Sequence, residues 1–271
     1  MWVDVEHLYD FYTTSLGRAV QNTVTIPLEA LWHDTRHETV VAFGYGLPFL
    51  ETFHTRSNRV LYLMPAPLGV CHWPQGANNL TCLCPVDIIP LPDCSVHKIL
   101  LIHSIEFAPD ARALLREAWR VLIPGGEVVL LVPNRRGMWA SSPTNPFGDG
   151  QPYSGRQLYA LAESACFFPL KPTYHLFHPP MDPFLSESAQ ETLEDFGQKW
   201  LRKIGGLVML QAHKKVIANV KERTPSLGRR IFTPEGLVPQ KRALKGAPLK
   251  KESQNYATTS GENSKLPGNK A

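Results

Sequence analysis

Short apolar runs recur along the first two thirds of the chain, separated by stretches long enough to hold helices. Val40–Phe43, Val60–Met64, Leu80–Leu83, Ile99–His103 and Val128–Pro133 have the length and near-continuous apolar character of strands buried on both faces. Two later runs, Tyr174–Phe177 and Leu207–His213, carry a weaker form of the same pattern. Between the runs the period changes to that of a helix. In DARALLREAWRVL, Asp110 to Leu122, the residues Ala111, Leu114, Leu115, Ala118, Val121 and Leu122 form one apolar side, and Arg112, Arg116, Glu117 and Arg120 mark the wet side. Pro124-Gly125-Gly126 ends that helix and predicts a turn into the next strand. Ser154 and Gln157 make a capping-box pair at the head of another helix reaching Cys166, whose stripe is Leu158, Leu161, Ala162 and Ala165. Helices are also predicted for Val5–Leu16 and Ser188–Lys203. Strands that alternate with helices pair in parallel through right-handed crossovers, so the pattern predicts an α/β sandwich with helices on both faces.

The periodicity stops near Lys221. Proline, glycine, serine and lysine dominate from there to Ala271, which predicts a folded region over residues 1–220 and a disordered basic tail over 221–271. Charge follows the same boundary. The tail holds 11 of the 28 Lys+Arg but only 4 of the 24 Asp+Glu, so the net +4 of the whole chain hides a folded part that is slightly acidic. A folded part without a basic surplus is not expected to grip nucleic acid. No apolar run reaches membrane-spanning length, and Asp4, Glu6 and Asp10 sit where a secretion signal would be apolar, so the expectation is a cytoplasmic protein without a membrane partner.

Candidate chemistry begins with VVAFGYGLPFLE, Val40 to Glu51. A strand feeding Gly44-Tyr45-Gly46 suits either a tight turn or a loop that lets a ligand approach the backbone. The dinucleotide fingerprint fails at Phe49, and no Gly-Lys-Ser/Thr of a P-loop follows. The five cysteines are an odd count. Cys71, Cys82, Cys84 and Cys94 lack the Cys-x₂-Cys knuckle of a zinc site and are read as buried structural thiols, with no metal expected.

Asp87 to Asn134 carries the most specific signal. Pro90-Leu91-Pro92-Asp93, Leu115-Arg116-Glu117 and Arg120-Val121-Leu122-x-Pro124-Gly125-Gly126 stand in order and in spacing. This resembles the class I S-adenosylmethionine-dependent methyltransferases of the small-molecule, type 11 kind, with the likeness centred on residues 40–134. The Tyr-Gly of the first loop and the later Asn-Arg-Arg-Gly suggest a bacterial subfamily of unknown substrate. The resemblance implies a Rossmann-like sandwich with a mostly parallel seven-stranded sheet. It implies S-adenosyl-L-methionine as cofactor, held by Gly44, Tyr45, Gly46, Met64, Pro65, Asp87 and His103. It also implies an enzyme that methylates a small molecule or a protein side chain. The chain departs from the family pattern at Ala42 and Met64, where acidic residues are usual, and at Pro48, where a glycine is usual. Those departures favour the alternative of a cofactor- or partner-binding protein that kept the fold and lost turnover. A nucleotide-dependent oxidoreductase on the same sheet plan is disfavoured by Phe49.

Five further residues are candidates for the chemistry. His103 and Glu106 suit acid–base work at the pocket floor or, equally, the capping of a strand end. Asn134, Arg135 and Arg136 follow the fifth strand, where paired guanidinium groups suit an anionic acceptor or simply form a surface loop. Trp139, Phe147 and Gly150–Tyr153 suit either a cover over such a pocket or a plain connecting loop, and Tyr9, Phe11 and Tyr12 either a lid or core. His175 and His178 are read as structural.

Overall fold

The computed structural model describes residues 2–181, 187–201 and 203–215. They lie in one compact unit, Met1–Asn219, and the predicted tail from Lys221 falls outside the described residues. The strands are β1 (Thr39–Gly44), β2 (Arg59–Pro65), β3 (Thr81–Cys84), β4 (Val96–Ile102), β5 (Leu122–Pro133), β6 (Phe167–Pro169), β7 (Thr173–His175) and β8 (Leu207–Lys214). They form one open sheet in the order β3-β2-β1-β4-β5-β8-β6, with β7 also paired to β8. Pairing is parallel from β3 through β5, whereas β8 runs antiparallel to β5, β6 and β7.

Eight strands occupy seven sheet positions, because β6 and β7 line up along the same edge of β8. β6 pairs with Ala212–Lys214 and β7 with Leu207–Met209. Pro172, which cannot donate to a ladder, separates them. The sequence pattern also placed a turn at Pro124–Gly126. These residues instead lie inside β5, where the register against β4 shifts between Val96 and Lys98 and Gly125 has φ +78°. A bulge there keeps both ends of the strand paired.

Alternation sorts the apolar strands between two cores. Val40 and Ala42 face α1 (Val5–Thr13), α2 (Ser15–Leu31) and α3 (Leu47–His54). Val41 and Phe43 face α4 (Ala111–Val121) and α5 (Gly155–Ser164). Among the described residues the last helix, α6 (Glu187–Trp200), lies between β7 and β8 in the chain. α2 and α3 were not predicted. Thr14 separates α1 from α2: its hydroxyl donates to Phe11 O and accepts from Gly17 N, closing one helix and opening the next. In α3, Gly46 stands at the N-cap with Pro48 in the first turn, a position that tolerates its missing N–H. The apolar run after the Gly-Tyr-Gly loop is therefore a helix, burying Phe49, Leu50 and Phe53.

The blocks that carry the family resemblance are tied to one another. Arg120 on α4 donates to the Leu91 and Ile89 carbonyls, at 3.0 and 2.8 Å, and pairs with Asp93 and Glu117. Glu117 in turn accepts from Ile89 N. The Leu-Pro-Asp and Arg-Val-Leu segments thus fix the loop before β4 onto the helix after it. That role is architectural.

Candidate active site

Open parallel sheets gather ligands beyond the carboxyl ends of their strands. Here the ends of β1, β2 and β4 converge beneath α1. Gly44 has φ +100°, and a Cβ there would collide with the Ile102 carbonyl oxygen of β4. Tyr45 N–H donates to the same carbonyl at 3.1 Å. At Gly46 a Cβ would press on the Ala42 side chain. Both glycines are thus demanded by close packing of the loop on its own sheet, whatever the loop binds.

α1 is anchored across this end of the sheet. Val5 N–H donates to Leu68 O just beyond β2, and Trp2 packs on Phe107 beyond β4. Phe11 and Tyr12 point inward and Tyr9 is exposed, which splits the aromatic trio. Tyr12 stacks on Tyr45, meets Phe49 edge-on, and places its hydroxyl 2.8 Å from His103 Nε2.

His103 leaves β4 with φ +48°, so it belongs to the turn and not to the strand. Its Nδ1 lies 3.7 Å from Glu106 Oε1, and Glu106 Oε2 accepts from Ser104 N at 3.0 Å. His103 Nδ1, Ser104 Oγ and Glu106 Oε1 are buried with no hydrogen-bond partner among the described residues. Burial pushes Glu106 up to about 7 and holds His103 down to about 3. Desolvation also raises the Tyr12 phenol well above its ordinary value. At neutral pH the imidazole is neutral and the carboxyl is poised between its two forms.

Stability should carry the mark of this pair. Glu106 ionises near pH 4.5 when unfolded and near 7 in the fold, so its contribution is full below 4.5 and lost as pH rises through 7. His103 titrates near 6.5 unfolded and near 3 folded, so its contribution is full above 6.5 and lost as pH falls through 3. The slopes oppose between 4.5 and 6.5, where the pair should leave Tm level. Glu106→Gln should abolish the decline on the alkaline side of that plateau in a series of thermal melts. An unchanged decline would assign it to other groups.

The other candidates scatter. Asn134 is buried and structural: its Nδ2 donates to Gly205 O and Lys203 O, and its Oδ1 accepts from Arg136 N. Arg135 and Arg136 are exposed at the rim, with Arg135 donating to Pro152 O at 3.2 and 3.3 Å. Asp87 is exposed beyond β3, whereas Met64 and Pro65 are buried. Trp139 and Phe147 are buried against one another, with Phe147 lying 4.9 Å from the His103 ring. The Gly150–Tyr153 segment is pinned there by Gln151 N on Glu106 O and Tyr153 N on Pro133 O. His175 has an acidic partner the sequence did not suggest, Glu194 of α6 at 3.7 Å. Among the described residues no three His, Cys, Asp or Glu gather as a metal site. The cysteines depart from expectation, since only Cys84 is fully buried while Cys82, Cys94 and Cys166 are exposed.

Tyr45 is 2% exposed and Met64 and His103 are 0%, which leaves no solvent-sized space against them. A nucleoside-sized ligand at these strand ends therefore requires α1 to withdraw. Withdrawal would free the three unpartnered polar atoms and the Gly-Tyr-Gly loop to meet the polar parts of such a ligand, and Met64 to pack on its flat apolar part. β2 itself ends on Met64 and Pro65, which offer no carboxylate to ribose hydroxyls.

Comparison with known proteins agrees with this geometry. Residues 42–130 match the methyltransferase domain family. No curated protein matches the chain by sequence. Among solved structures, a Thermotoga maritima S-adenosylmethionine-dependent methyltransferase described as a possible histamine N-methyltransferase superposes with a TM-score of 0.56 at 17% identity, covering 78% of this chain and 96% of that one. A methyltransferase of the same dependence from Archaeoglobus fulgidus gives 0.50 at 14% identity, covering 72% and 94%. The [4+2]-cyclase SpnF gives 0.51 at 16% identity, covering 76% and 84%. S-adenosylmethionine is the cofactor these matches indicate. Among the described residues no helix is long and apolar enough to cross a membrane. Residues 42–130 thus match the methyltransferase domain family, and the chain is built on the fold of the class I S-adenosylmethionine-dependent methyltransferases.

Proposed function

We propose that this protein transfers a methyl group from S-adenosylmethionine to an acceptor at the ends of β4 and β5, with α1 as the cover over the cofactor position. The observation that carries the reading is the buried Tyr12–His103–Glu106 cluster, which together with Ser104 holds three polar atoms without hydrogen-bond partners at the strand ends where such folds take ligands. When bound, S-adenosylmethionine supplies an electrophilic methyl group on its sulfonium. Gly44, Tyr45, Gly46, Met64, Pro65 and Asp87 are the positions assigned to hold it. His103 stands between cofactor and acceptor, where a neutral imidazole can take a proton from an acceptor hydroxyl or amine. Glu106 faces its other nitrogen and would stabilise the imidazolium.

The acceptor in this proposal is a small molecule or protein side chain, with no nucleic acid or membrane involved and a cytoplasmic setting. Arg135 and Arg136, exposed at the rim beyond β5, favour an anionic group through bidentate hydrogen bonds. Calorimetric titration with S-adenosylmethionine, its demethylated product, NAD and ATP tests the first half. The proposal expects the first two to bind and NAD not to. Carboxylate- and phosphate-bearing compounds titrated into the cofactor-saturated protein test the second. Arg135→Ala or Arg136→Ala should weaken their binding about ten- to a hundredfold, a loss of ~1.5–3 kcal/mol, and leave cofactor affinity unchanged. Equal binding by both variants would remove the arginines from the site.

A second reading is favoured by one observation. The closed packing of Tyr12 on Tyr45 and the apolar Met64 suit a protein that uses this fold to bind a partner without turnover. Failure of S-adenosylmethionine to bind either the wild type or a variant opened at Tyr12 would favour it over methyl transfer.

A further inference from the structure

Lys214, the last residue of β8, buries its amine with no carboxylate beside it among the described residues. Nζ donates to Leu122 O at 2.6 Å and lies 4.1 Å from the centre of the Trp119 ring. Its remaining neighbour is a thiol: Cys94 Sγ stands 3.5 Å away. Cys94 itself is exposed and has φ +52°, a left-handed conformation unusual for a residue with a side chain. Such outliers persist where the surroundings over-determine them, and they gather at functional positions. Here Cys94 N donates to Arg120 O and the next residue, Ser95, to Val121 O, so the turn is locked onto the end of α4. A solvent-reachable sulfur is thus held against a desolvated amine by backbone hydrogen bonds on both sides.

We propose that Cys94 and Lys214 are an oxidative modification site, at which hydrogen peroxide converts the pair into a reversible nitrogen–sulfur cross-link. In the first step the sulfur attacks one peroxide oxygen. An S–O bond forms, the O–O bond breaks, and the departing hydroxide leaves as water with the thiol proton. Sulfur has lost an electron pair to peroxide and stands as a sulfenic acid. In the second step Nζ, having released one ammonium proton to solvent, attacks that sulfur. The N–S bond forms, the S–O bond breaks, and hydroxide leaves as a second water with a proton from nitrogen. The flexible four-carbon stem of lysine lets Nζ close the remaining distance. The bridge would fasten the segment before β4 to the end of β8 across the start of β5, at the opposite end of the sheet from the cofactor position. It does not depend on the proposed methyl transfer.

The test is peroxide treatment of the full chain, digestion without reductant and mass spectrometry. The expected product joins the Cys94 and Lys214 peptides, lighter by two hydrogen atoms than their sum, and disappears with dithiothreitol. Cys82 is the internal reference, being exposed with its sulfur on the Leu83 carbonyl. Lys214→Arg should lower the linked fraction to background and leave Cys94 as a sulfenic acid that dimedone captures. Cys94→Ser should leave Lys214 unmodified. Oxidised wild type should melt several degrees higher than either oxidised variant, because the cross-link restricts the unfolded chain. Oxidation of wild-type Cys94 with no link to Lys214, or a Cys94 no more reactive than Cys82, would overturn the proposal.

Discussion

Gly44→Val should leave little folded protein in the soluble fraction. At φ +100° a branched side chain is strained by ~1–3 kcal/mol before any contact is considered. The new Cβ would also meet the Ile102 carbonyl, a backbone atom inside a strand paired on both sides, which cannot step aside cheaply. Overpacking of this kind costs a further ~1–3 kcal/mol. Together the two are a large part of the ~5–15 kcal/mol by which a domain is stable. Gly125→Ala separates the terms, because φ there is +78° with nothing within 4 Å of its Cβ, so only backbone strain remains. Thermal melts of both variants check the argument. A Gly44→Val protein that melts within a few degrees of wild type would show that β1 and β4 can part at this point. The same geometry means that lost cofactor binding in Gly44→Val would report on the sheet as well as on a ligand contact.

Tyr12→Ala should do two opposite things. Removing a buried aromatic side chain costs ~3–5 kcal/mol, and here it also strips His103 Nε2 of its partner, so Tm should fall sharply. The space vacated lies against Tyr45, Phe49 and His103, where S-adenosylmethionine would enter. A protein whose closed form excludes its ligand binds with an affinity reduced by the fraction that is open. Destabilising the closed form should therefore tighten S-adenosylmethionine binding by about tenfold or more, measured by calorimetry below the melting range. Tyr12→Phe keeps the ring and removes the hydroxyl, which isolates the share of the latch due to His103. If Tyr12→Ala is folded and binds S-adenosylmethionine no more tightly than wild type, α1 is not the cover.

The sequence by itself determined β1 to β5 as buried strands and, more weakly, β7 and β8, but not β6 (Phe167–Pro169) nor the order of the strands in the sheet. Val40–Phe43 and Val128–Pro133 are apolar on both faces, which only a sheet covered on both sides can satisfy, and the spaced Leu-Pro-Asp, Leu-Arg-Glu and Pro-Gly-Gly blocks specified the fold family. It did not show α2 or α3. A glycine, a proline and several β-branched residues in α2, and a proline at the head of α3, lower helix propensity, and burial of Val20, Val24, Leu28, Phe49 and Phe53 overrides that preference. Nor did it show that Pro124–Gly126 stays in a strand, since a bulge is a property of the pair and not of one segment. The site was legible only in part. His103 and Glu106 are three residues apart and could be seen as neighbours, but Tyr12 reaches His103 across 91 positions of sequence. Lys214 meets Cys94 across 120. Such contacts have no local signature, because they are made by the crossing of α1 over the strand ends and by the antiparallel return of β8. The chain's periodicity determined which faces are apolar. Only the packing of those faces decided which polar groups were buried with them.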